Sequence, residues 1–278
     1  MNTWPAVRRV QVGLTLRSLR EQAGVRPKDV AERLDWYPNK VTRVEKGELI
    51  VSAAEVEELL RMFDVSAGED ADRLRVLARE ARKRDRPARV PDWAATFVAL
   101  EGAAAEIKYY DPEVVPPIFQ TEDYTRAVLS HPLDDTVDVE PAIAERMQRA
   151  DRALLAKQAP EVMCVLGEAT LYRAIGGKHV LRGQLQHLRW VAARPNVTLQ
   201  ILPFDSGEHV ALGTSWTVLH LAEPVATFVY TESLVGSDYF DKPSQTGRHL
   251  KAFDILCGAA SSDRTSVDML DRRIDELT

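Results

Sequence analysis

Six polar residues near the N-terminus have the types that read DNA. Asn39, Lys40, Thr42 and Arg43 form one cluster, with Lys28 before it and Lys46 after it. Asparagine matches the hydrogen-bonding edge of adenine, lysine and arginine match guanine, and the threonine methyl meets the thymine methyl. Lys28 and Lys46 flank the cluster and are placed to reach phosphates, which fix the docking without conveying sequence. The spacing supports this chemistry if Val41 and Val44 face inward on a short helix and turn the other four residues outward. An ordinary helical bundle with a solvated polar face is the competing account.

A second set points to a ligand. Gln120 and Tyr124 stand with Tyr109, Tyr110 and Phe119 around a proline-containing loop, and Glu168, Tyr230 and Glu232 fall at the ends of predicted strands. Open α/β sheets place ligands at such ends. The alternative is that the aromatics are core and the polar groups are caps.

Catalysis finds little support. Residues 172–179 end in Gly177-Lys178 but lack the first glycine and the final hydroxyl residue of a phosphate-cradling loop, and Ser215 fails the nucleophile-elbow pattern. Glu168, Glu232 and the Glu208-His209 pair are separate groups, expected to be structural hydrogen-bonders. Cys164 and Cys257 carry no metal-ligand spacing and no disulfide framework, so no metal or cofactor is expected, and a reducing cytosol is the expected compartment. The longest apolar runs, such as 225–230, fall far short of the roughly 20 residues of a membrane span. The first residues lack a basic stretch followed by an apolar one, so a cytoplasmic chain is expected.

These residues need elements to hold them. Val12, Leu16, Leu19 and Ala23 recur at helical spacing, and Gly24 stops a first helix over 8–23. Pro27 opens a short second helix with Val30, Ala31 and Leu34 on one face; Pro38 opens a third, which Gly47 caps. Ser52 with Glu55 starts a fourth, burying Val56, Leu59, Leu60 and Phe63, and a charged fifth covers 69–85. Two eight-residue helices joined across Asp35-Trp36-Tyr37 are the sequence form of a helix-turn-helix. The two prolines of 86–91 mark a linker.

Beyond the linker, helices are expected over 93–110, 121–129, 140–157, 178–193, 243–260 and 264–277, with strands at 162–166, 197–202, 216–221 and 226–231. The fold class expected is therefore multi-domain: an all-α helix-turn-helix domain at 1–85, with its core at 11–64, and a mixed α/β regulatory domain at 92–278 with at least one parallel crossover.

Charge divides at the same place. The 278 residues carry a net charge of -6, but residues 1–90 hold 19 Lys+Arg against 15 Asp+Glu, a balance of +4. The remainder holds 17 against 27, or -10. A positive module on an acidic body fits a polyanion-binding unit attached to a domain with another task.

The strings Leu16-Arg-Ser-Leu-Arg-Glu-Gln-Ala-Gly24, Val30-Ala-Glu-Arg-Leu34 and Lys40-Val-Thr-Arg-Val-Glu-Lys-Gly47 resemble the XRE, or Cro/repressor-like, helix-turn-helix. The resemblance implies that Glu45 is structural and pairs with Arg20, and that Trp36 plugs the core at the turn. It also implies a homodimer on a pseudo-palindromic operator in double-stranded DNA. Two places depart from the family: Arg26-Pro27-Lys28 replaces threonine-glutamine, and Tyr37-Pro38 replaces the serine cap.

The later order Val115-Pro-Pro-Ile-Phe-Gln-Thr121, Gly167-Glu-Ala-Thr-Leu171, Gly176-Gly177 and Leu202-Pro-Phe204 resembles the uncharacterised domain fused to XRE modules in many actinobacterial regulators. Such regulators are often described as antitoxin-like, acting with a small protein encoded beside them. The implied task of the second domain is to sense a ligand or bind that partner. The alternative implied is an antitoxin-like interaction module whose DNA binding only regulates its own gene.

Overall fold

The computed structural model describes residues 5–82, 92–130, 138–222, 225–233 and 236–277. The chain divides into two compact units, Met1–Ala88 and Arg89–Thr278. The linker predicted at 86–91 and the end of the helix predicted at 69–85 lie outside the described residues.

The first unit is five helices: α1 (Pro5–Gln22), α2 (Pro27–Arg33), α3 (Lys40–Glu45), α4 (Ala53–Met62) and α5 (Glu69–Ala81). Val12 and Leu16 from α1, Val30 from α2, Val41 from α3, Leu60 from α4 and Leu74 from α5 meet in one core. Ala23, assigned to that face from its spacing, is exposed, because α1 has ended and Gly24 has turned the chain out at φ +67°. The capping box at α4 forms as its sequence predicts: Glu55 N–H donates to Ser52 Oγ at 3.2 Å, and Ser52 N–H donates to Glu55 Oε2 at 2.7 Å. Pro38 does not open α3. It lies in a turn in which Lys40 N–H donates to the Tyr37 carbonyl at 2.9 Å, and the helix begins at Lys40.

The second unit is a six-stranded mixed sheet with helices packed on it. Strands β1 (Glu106–Asp111), β2 (Glu161–Gly167), β3 (Val197–Leu202), β4 (Trp216–Ala222), β5 (Val225–Ser233) and β6 (Gly236–Phe240) lie in the order β3-β2-β1-β4-β5-β6. The β3-β2-β1 half is parallel and the β1-β4-β5-β6 half is antiparallel. Helices α6 (Asp92–Ala103), α7 (Glu122–Leu129), α8 (Val139–Leu155), α9 (Lys178–Val191), α10 (Pro243–Ala259) and α11 (Asp263–Glu276) complete the unit. Both parallel connections run through helices, as parallel pairing requires.

The helix predicted over 93–110 is a correction. It ends at Ala103, and 106–111 is β1, the strand at the centre of the sheet. Gly102 weakens the last turn, but Ala104 and Ala105 are good helix formers, so the local sequence does not fix the stop. Tertiary pairing decides it: Ala105 N–H donates to the His220 carbonyl at 2.8 Å, and the Ala105 carbonyl accepts from Glu161 N–H at 3.0 Å. Strand β6 was also not predicted. Its Gly-Ser-Asp start is weak strand sequence, and it pairs on one side only, with β5.

Candidate functional site

Two places concentrate chemistry. The first is the α2–turn–α3 segment. Asp35 takes the left-handed conformation at φ +52°, Trp36 N–H donates back to the Ala31 carbonyl at 2.9 Å, and the chain turns sharply into α3. Val41 and Val44 are buried, while Asn39, Thr42, Arg43 and Lys46 are exposed on the opposite side. Arg20 and Glu45 form a two-pronged pair at 2.6 and 3.1 Å that ties α3 to α1. Trp36 packs on the core and donates its indole N–H to Glu55 Oε1 at 3.0 Å.

Lys40 is not presented with the others. Its ammonium donates to Glu55 Oε1 at 2.8 Å and lies 4.1 Å from the centroid of the Trp36 ring. Burial would raise the Glu55 carboxyl, but hydrogen bonds from Lys40 and from Ser52 outweigh it and hold the group down at about 2. Glu55 therefore gathers the α4 cap, the turn and the start of α3 around one carboxylate. Sequence reasoning read it only as a cap. Arg43 is exposed and held from two sides: its Nε donates to Glu48 Oε2 at 3.1 Å and its Nη1 to the Tyr37 hydroxyl at 3.1 Å. The tyrosine that stands in the serine position thus braces Arg43. Lys28 lies 3.5 Å from Glu32 on the exposed side of α2.

The second place is a cavity of about 540 Å³ in the second unit. The sheet register builds it. Tyr109, Thr217 and Tyr230 pair across β1, β4 and β5, so their side chains stand in one row on one face. Two residues further toward the same end lie Asp111, Ser215 and Glu232, and all six line the cavity. The place is the carboxyl end of β1 where the strand order reverses toward β4, the position at which open sheets receive ligands. Phe97 and Val98 of α6 and Arg146 and Arg149 of α8 close it from above the sheet.

Its polar groups differ in what they are free to do. Arg149 and Glu101 are both buried and pair through two hydrogen bonds of 2.8 Å, and the Tyr109 hydroxyl donates to Glu101 Oε2 at 2.9 Å. Arg146 Nη1 donates to Gln120 Oε1 at 2.8 Å; burial and the nearby Arg149 lower its pKa to about 10, which leaves it charged at neutral pH. Burial first, and Glu232 second, push the Asp111 carboxyl up to about 8. Burial also raises Glu232, against the hydrogen bond it accepts from the Tyr230 hydroxyl at 3.1 Å.

Of the five residues expected to contact a ligand, the cavity brings together Gln120, Tyr230 and Glu232. The Gln120 amide is fully engaged, donating to the Val115 carbonyl at 2.6 Å and accepting from Thr125 and Arg146, so it holds Arg146 in place. Tyr124 and Glu168 lie elsewhere. Tyr124 is core, its hydroxyl accepting from Val115 N–H at 3.4 Å, and Glu168 accepts from Phe204 N–H at 2.8 Å to hold the loop after β3. Asp111 and Arg146 were missed. The alternation Ile107, Tyr109, Asp111 is the signal that would have found the first, had 106–111 been read as a strand.

Residues 94–272 match a domain of unknown function, DUF5753, and residues 11–84 match a helix-turn-helix domain. The chain belongs to the DUF5753 family. No curated protein and no solved structure matches it. The cavity lies wholly inside the DUF5753 domain, and the exposed face of α3 lies wholly inside the helix-turn-helix domain. Among the described residues, no helix is long and apolar enough to cross a membrane.

Proposed function

We propose that this DUF5753 chain is a sequence-specific, DNA-binding transcriptional regulator of the XRE type, whose DUF5753 domain senses a small ligand through the cavity at the end of β1. The observation that carries the reading is the exposed row Asn39, Thr42, Arg43 and Lys46 on α3 and its two caps in a helix-turn-helix domain, opposite the buried Val41 and Val44. Two copies on a pseudo-palindrome place two such helices about one DNA turn apart. The acidic second domain, at -10, is repelled by phosphate and supplies the sensor, not a DNA contact. The reading includes no catalytic step, metal or cofactor.

The test is selection of genomic fragments by the full-length protein at two salt concentrations, followed by sequencing. A two-fold symmetric motif whose recovery falls with salt is the expected result. Enrichment no greater than for random DNA overturns the sequence-specific reading. An antitoxin-like role with a small neighbouring protein is favoured by one observation: Phe204, Val210 and Leu212 are 65, 58 and 66% exposed on one segment of the DUF5753 domain. Co-purification of that neighbour, lost when Phe204 and Leu212 become serine, would move this second reading to first place.

A further inference from the structure

The ionisable groups of the cavity are unevenly matched. Arg149 is committed to Glu101. That leaves Asp111 on β1, Glu232 on β5 and Arg146 on α8, two acids against one base. Glu232 accepts from Tyr230, and Arg146 donates to Gln120. No hydrogen bond or ion pair reaches the Asp111 carboxylate from the described residues.

An uncompensated charge among apolar walls is costly, and a site in that position either takes up a proton or binds a counter-charge. The walls favour the second course as well. Phe97, Tyr109 and Tyr230 present aromatic rings to the space, and ring faces attract cations. Trp216 does not share in this: its ring packs on the opposite face of the sheet, 5.0 Å from the Tyr110 ring and 5.4 Å from the His249 ring.

We propose that the cavity binds a small organic monocation, a protonated amine whose nitrogen sits against Asp111 and Glu232 and whose apolar or aromatic body lies among Phe97, Tyr109 and Tyr230. A volume of about 540 Å³ is in the range of small-molecule sites. The inference rests on the reading of this cavity as the sensor site and deepens it by naming the ligand class.

Binding displaces the proton that the empty site holds on Asp111. The groups that bear on that proton are Glu232 from β5, Tyr110 beside it on β1, Tyr124 from α7 and Cys164 from β2, with Arg146 acting on Glu232. Arg146 among them is charged at neutral pH.

The experiment is calorimetric titration of the full-length protein at pH 7 with three fragments of one shape: 2-phenylethylammonium, neutral 2-phenylethanol and anionic 3-phenylpropanoate. The expected result is a preference of about tenfold or more for the cation, proton release read from buffers of different ionisation enthalpy, and loss of that preference in Asp111→Asn. Asparagine has the shape of the protonated acid, so this variant keeps the fold; its thermal transition confirms that. Equal affinity for the alcohol, preference for the carboxylate, an unchanged Asp111→Asn variant, or no binding of any fragment at millimolar concentration overturns the proposal. DNA affinity, measured with and without the fragment, separates the two readings. Asp111-dependent binding of the cation without any effect on DNA keeps the ligand class and removes the sensor role; an effect on DNA from the alcohol or the carboxylate alone does the reverse.

Discussion

If Arg43 reads DNA as proposed, it arrives already occupied, since Glu48 and Tyr37 share its guanidinium. Reading a guanine means exchanging Glu48 for the base. Glu48→Gln therefore raises affinity for DNA, whereas Arg43→Ala lowers affinity for the selected site by about 1–3 kcal/mol and relaxes preference at one position. With Lys28 in the proposed phosphate role, Lys28→Ala weakens all sequences alike and reduces the salt slope by about one, because a phosphate contact carries no sequence. Fluorescence-anisotropy titrations against the selected site and a scrambled one check all three. Lys40→Ala behaves differently: with its ammonium on Glu55 and Trp36, it costs stability of about 1 kcal/mol, read from denaturant unfolding.

Two carboxyls give opposite pH dependences. Asp111 has an ordinary value of 3.8 and a folded value of about 8, so the folded chain keeps a proton that the unfolded chain releases. That contribution to stability is complete below pH 3.8 and is lost as pH rises through about 8. Asp111→Asn cannot lose it, and melts above the parent at pH 8 with the gap closing toward acid. Glu55 runs the other way: its contribution is present above its ordinary 4.5 and is lost as pH falls through about 2. Glu55→Gln flattens that acid limb in a circular-dichroism titration.

At the scale of elements, the position of α3 depends on a glycine that carries no side-chain chemistry. A Cβ on Gly13 of α1 would stand 2.5 Å from the carbonyl oxygens of Val44 and Glu45, inside contact distance of rigid backbone. Gly13→Ala pushes the end of α3 away from α1 and strains the Arg20–Glu45 pair. The expected cost is about 1–3 kcal/mol of stability, with weakened DNA binding even though no DNA-facing residue has changed. Thermal unfolding and anisotropy on the same variant check the two effects together. The partner of this constraint is electrostatic. Glu45→Ala leaves Arg20, itself 7% exposed, with only the more distant Glu21 at 3.7 Å and destabilises the unit by about 3 kcal/mol.

For the whole molecule, the reading as a dimer on a symmetric operator makes a geometric demand. Two recognition helices bind one face of DNA only when the half-sites are separated by whole turns. Inserting about five base pairs between the half-sites abolishes joint binding, and inserting about ten restores part of it. A gel-shift series with spaced operators measures this directly. A flat response would mean that the copies bind independently.

The helical unit was legible in the chain because its signals are local. Gly24 stops α1, Ser52 and Glu55 cap α4, and Val12, Leu16, Val30, Val41 and Val44 mark inward faces by spacing within single helices. The alternation of helices and strands likewise set the α plus mixed α/β class. Only the tertiary structure decided that 106–111 is a central strand, because that depends on partners more than 50 residues away, at Glu161 and His220. With β1 read as helix, Asp111 had no reason to stand beside Glu232, and the cavity could not be seen. Lys40 and Arg43 are alike in type but part company for the same reason. Which of them faces solvent was settled by Glu55 and Glu48, charges brought near by folding and not by spacing along α3.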